Sequence, residues 1–175
     1  LTVGGGANTT FSGILSGAGA LVKNGAGVFT LTNANTFSGG VSLSAGALEA
    51  GNNAALGTGA LTFSGGRLSS DSATARTLAN ALSLSGALTL GDATNNGALT
   101  LSGNAALTGN TTLTVASAAT LSGILSGAYN LTTAGASELT LSGTNSFSGT
   151  TTVNAGTLTL AGGAALVDTM AVTVD

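Results

Sequence analysis

Residues 11–57 read FSGILSGAGALVKNGAGVFTLTNANTFSGGVSLSAGALEAGNNAALG, and residues 121–167 read LSGILSGAYNLTTAGASELTLSGTNSFSGTTTVNAGTLTLAGGAALV. The two align without a gap at an offset of 110, and 22 of the 47 paired positions are identical. The matches include Ser12 to Ala18 with Ser122 to Ala128, Phe37-Ser38-Gly39 with Phe147-Ser148-Gly149, and Ala54-Ala55-Leu56 with Ala164-Ala165-Leu166. Low complexity alone does not hold phase over such a length, so the chain contains an internal repeat. Self-similarity of this kind marks stacked units that bury their apolar faces only against their neighbours.

Inside the repeat lie shorter alternations closed by Gly, Asn or Ser, such as Phe29-Thr30-Leu31-Thr32, Val41-Ser42-Leu43-Ser44, Leu99-Thr100-Leu101 and Leu139-Thr140-Leu141. Period-two alternation sends Leu, Val and Phe to one face of a strand and Thr or Ser to the other, while Gly and Asn suit tight corners. The stretch from Ser72 to Leu82 has some helical character but also reads as strand or loop. Comparable strands recur every 18 to 22 residues or so, and the offset of 110 divides into about five such coils. This rhythm predicts an all-β parallel β-helix of about eight rungs, roughly 40 Å tall at the spacing of parallel strands. A meandering antiparallel sandwich or barrel is the competing architecture. The whole of 1–175 reads as one segment of a longer repeat protein, entered part-way at Leu1-Thr2-Val3.

Composition agrees with a narrow, tightly stacked coil. Among 175 residues there are 29 Gly and 5 Phe, 5% are charged and 43% are hydrophobic. Like charges stacked between rungs repel, whereas Thr and Ser tolerate that spacing and favour strand. With no His and no Cys, the common zinc and iron ligand sets, Ser-His-Asp and Cys-His arrangements and thiol chemistry are all excluded, and no cofactor is expected. A net charge of -3, with Lys23, Arg67 and Arg76 as the basic residues, gives no surface for a nucleic-acid backbone. No apolar run approaches the ~20 residues of a membrane helix.

Three acidic residues are spaced by about one coil: Glu49, Asp71 and Asp92. Stacked as a column they would bind a cation or act as an acid pair on a glycan; dispersed on loops they keep the rod soluble. Asp71 also has Arg67 and Arg76 within reach as surface partners. Asn35, Phe37 and Gly39 recur as Asn145, Phe147 and Gly149, which points to structural roles: Phe inward with Phe29 and Phe63, and Asn satisfying backbone groups at a corner and laddering between rungs. Tyr129 stands where the first copy has Gly19, a replacement that an outward position accommodates. Thr-x-Thr units, as in Thr112-Leu113-Thr114, suggest either ordinary outward strand residues or an ice-binding face.

The strings at 17–51 and 136–163 share Gly-Ala-Gly or its variant before a Thr-Leu strand, then Asn-x-Phe-Ser-Gly, a Thr/Val strand and Ala-Gly-x-Leu. This pattern resembles the autotransporter-associated β-strand repeat of type V secreted proteins of Gram-negative bacteria, while residues 60–120 follow it more loosely. The resemblance implies a right-handed parallel β-helix at the cell exterior or outer-membrane surface, serving as a non-catalytic stalk or adhesin. Its implied partners are a host or neighbouring cell surface, or copies of itself associating end to end or laterally. A subunit of a surface filament is the alternative, with a glycan-active enzyme and an ice-binding solenoid behind it.

Overall fold

A computed structural model describes residues 1–161 and 172–174. Every regular element among them is a β-strand, and every strand pairing is parallel. The chain winds through about eight turns around one apolar axis as a three-sided coil. Residues 162–167, the end of the second homologous stretch, and Ala171 lie outside the described residues.

The first side stacks Leu21–Lys23 on Val41–Leu43, Leu61–Phe63, the start of Leu82–Leu90, the start of Ala105–Val115, and Leu125–Ser126. The second side runs through Thr9–Phe11, Val28–Leu31, Ala47–Ala50 and Gly66–Ser70 to the far halves of the two long strands. It continues with Leu131–Ala134, Thr151–Val153 and Val172–Val174. The third side is a separate sheet of Arg76–Leu78, Leu99–Leu101, Ala119–Leu121, Glu138–Leu141 and Thr157–Leu160. In the earlier coils this third side is not regular strand, yet it is still joined coil to coil: Ser38 N–H donates to Gly17 O at 2.9 Å and Thr58 N–H to Phe37 O at 2.9 Å.

Alternation along each strand builds the core. In Leu99–Leu101 and Leu139–Leu141 the leucines are buried and the threonine between them faces outward. Leu31, Leu43, Leu61, Phe63, Leu113, Leu131 and Phe147 are wholly buried, forming one continuous column. Removing apolar surface from water at about 25 cal/mol per Å² is the main force holding the coils together.

The repeat and the coil are out of phase. Five coils from Leu21 pass through Val41, Leu61, Leu82 and Ala105 to Leu125, whereas the repeat partner of Leu21 is Leu131. Leu131 stacks on Thr111, on the second side. The offset of 110 therefore spans five coils and one further side, which corrects the division into five coils alone. Equivalent residues consequently face different directions: exposed Ile14 adjoins the third side and exposed Ile124 the first.

Candidate functional site

Among the described residues, Glu49, Arg67, Asp71, Arg76 and Asp92 gather around the second side where the coils lengthen. Glu49 pairs in register with Ser69, so Asp71 lies two positions along from its neighbour and the three acids do not stack directly on one another. Instead Arg67 stands between Glu49 and Asp92, its Nη2 at 3.3 Å from Glu49 Oε1 and its Nη1 on Asp92 Oδ2. Asp71 belongs to a second pair, with Arg76 Nη2 at 3.0 Å.

The loop after Leu90 closes this cluster. Asp92 Oδ1 accepts the backbone N–H groups of Thr94 at 2.7 Å and Asn95 at 2.9 Å, a local turn of the Asx kind. Asn95 Nδ2 then donates to Glu49 Oε1 at 3.2 Å across 46 residues of sequence, and Thr30 Oγ1 donates to Glu49 Oε2 at 2.9 Å. Glu49 points outward from its strand yet is only 8% exposed, because the loop covers it. Both carboxylates of the ring are thus engaged by one guanidinium. Among the described residues no group of three acidic side chains is placed to hold a metal ion.

Among the described residues the remaining lateral surface is sparsely charged and regular, with Glu138 on the third side accepting the Thr159 hydroxyl at 2.5 Å. On the third side Thr77, Thr100, Thr120, Thr140 and Thr159 stand in register. Beside them Ser102, Ser122 and Ser142 are exposed, each donating its backbone N–H to the preceding coil. On the second side Thr112, Thr132, Thr152 and Thr173 form another row. These rows are hidden in a linear reading because the coils separating them differ in length.

The recurring Asn, Phe and Gly positions hold one coil to the next. Asn35 Oδ1 accepts the Leu15 N–H at 2.7 Å, and its repeat partner Asn145 accepts the Leu125 N–H at 2.8 Å. Phe37 and Phe147 are buried, as are Phe29 and Phe63. At Gly39 a methyl group would stand 2.6 Å from the Ala18 carbonyl oxygen, and at Gly149 it would strike that of Tyr129, so close approach of neighbouring coils requires glycine there. Tyr129 itself is exposed.

Comparison with known proteins follows the same two stretches. The passenger-associated-transport-repeat family matches residues 21–50 and 131–160. These stretches are passenger-associated transport repeats. A span of 46 residues, 26% of this chain, is 50% identical to the adhesin BmaC autotransporter of Brucella suis biovar 1 (strain 1330), and covers 1% of that protein. No solved structure matches the chain. The match to passenger repeats points to the cell exterior or the outer-membrane surface, and the fold that carries them is a β-solenoid. Each matched segment begins on a different side of the coil, so the family pattern encodes a local coil and its fastening to the next, not a particular face of the rod.

Proposed function

We propose that this segment is a non-catalytic part of a surface passenger whose long sides make contact with other surfaces, either those of a host or neighbouring cell or those of identical rods. The observation that supports this reading most is the in-register row from Thr77 to Thr159 with the serine row beside it. Such a face carries hydroxyl donors and acceptors at a fixed spacing and only scattered charge, so a second surface approaches it without strong repulsion. A single contact of this kind is weak, and a long rod repeats it, which raises overall avidity without new chemistry.

The carboxylates favour a structural reading over a catalytic one. Glu49 and Asp92 are tied to Arg67, to loop amides and to Asn95.

The test is to coat beads with the purified segment and score clumping and attachment to cultured cells. Replacing Thr100 and Thr140 by Lys puts two charges in the row while leaving the core untouched. Loss of both clumping and attachment, with unfolding unchanged, is the expected result. Undiminished contact by the double variant would refute the assignment to this side.

A further inference from the structure

Lys23 is the chain's single lysine, and it points into the core. It is fully buried between Val3 and Leu43, and its ammonium donates to the carbonyl oxygen of Gly25 and, at 3.2 Å, to that of Ala45. No carboxylate is paired with it among the described residues. The ammonium sits at a corner where Gly46 holds a φ of 66° and where the carbonyl oxygens of Gly25 and Gly27 converge.

The second copy of the repeat builds a similar corner, with Gly135 at a φ of 92° where its partner Gly25 has no positive φ. Gly156, the partner of Gly46, has a φ of 78°, and the carbonyl oxygens of Gly135 and Ser137 converge on it at 2.6 Å from where a methyl group would stand. Thr133 takes the place of Lys23 there and is flanked by Leu113 and Val153, the equivalents of Val3 and Leu43. Thr133 is 2% exposed, and its hydroxyl oxygen has no hydrogen-bond partner. One copy thus supplies its own cation to a corner of backbone carbonyls, and the other presents the carbonyls and a buried, unpartnered hydroxyl.

We propose that the Thr133 corner binds a monovalent cation of about the size of an ammonium group, such as potassium, through Thr133 Oγ1 and the carbonyl oxygens of Gly135 and Ser137, with that of Ala155 as the equivalent of Ala45. All four donors are neutral oxygens, which suits a weakly hydrated monovalent ion; calcium and magnesium sites depend on carboxylates. Glu138, the acid next to Ser137 in sequence, is exposed on the outer surface. The ion would join two successive coils as Lys23 joins Gly25 to Ala45.

The experiment compares thermal unfolding in potassium chloride with that in choline chloride at equal ionic strength, choline being too large for the corner. A ligand held only by the folded state raises the midpoint with its concentration, so a gain of several degrees at about 0.3 M potassium is expected for the native sequence. Thr133→Val should lose this difference. Thr133→Lys should lose it while keeping in choline the midpoint that the native chain reaches in potassium. Thr151→Val serves as the control: Thr151 is also buried with an unpartnered hydroxyl, but it lies opposite Leu131, away from the corner, and the potassium effect should survive its loss. Equal midpoints of the native chain in the two salts would overturn the proposal and leave the corner to a water molecule. A potassium effect that persists in Thr133→Val would overturn it as well.

Discussion

Lys23 shows how a single residue departs from the chemistry of the column that contains it. Burial lowers its ammonium below the ordinary value of 10.5 because the charged form loses its water. The folded chain then binds fewer protons than the unfolded chain between the lowered value and 10.5, so stability rises as pH climbs through that window. Lys23→Met fills similar space without the charge. Its midpoint should lack the rise that the native chain shows through that window; an equal rise in both proteins would count against burial of Lys23 as the cause. Arg67 presents the opposite case, a cation between two acids. Arg67→Met should destabilise by about 1–3 kcal/mol in urea unfolding, because Glu49 and Asp92 are left facing each other partly shielded from water. Adding Asp92→Asn should restore part of the loss, and simple additivity of the two changes would argue against the ring.

At the scale of elements, two features carry the architecture: strands whose faces alternate, and corners where glycine lets one coil approach the next. Gly149→Ala places a methyl group against the Tyr129 carbonyl and should cost about 1–3 kcal/mol, as overpacking does, measured by the urea midpoint. An unchanged midpoint would mean the coils are spaced more loosely than described. The loop holding Asp92 and Asn95 should show slow amide exchange at Thr94 and Asn95, whose N–H groups are held by Asp92, and faster exchange in Arg67→Met. Strand identity was legible in the sequence, since Leu99-Thr100-Leu101 states its inward and outward faces by itself. Neighbour identity was not. Leu61 finds its partner at Leu82 and Leu82 at Ala105, coils of 21 and 23 residues, so the register of Glu49 against Ser69 and the reach of Asn95 back to Glu49 depend on insertions at corners that leave the alternation unchanged. The internal repeat was equally plain, while its displacement by one side follows from coil length: five coils from Leu21 to Leu125 take 104 residues, six fewer than the offset of 110.

For the whole molecule, stability is a sum of nearest-neighbour contacts between coils, and length can be added without redesign. A rod of this kind with threonine rows on two sides suits the surface-contact role proposed above. All of this rests on in-register stacking of parallel coils. The chain has no cysteine, so introduced pairs report without interference. The most direct test replaces Thr100 and Thr120 by Cys in one protein and Thr120 and Thr140 in another, and follows oxidation by mass spectrometry. Outward residues in register on adjacent parallel strands lie about 5 Å apart between α-carbons, within disulfide range. Rapid intramolecular bond formation in both proteins is predicted; failure of both pairs under conditions where the chain remains folded would contradict the solenoid itself.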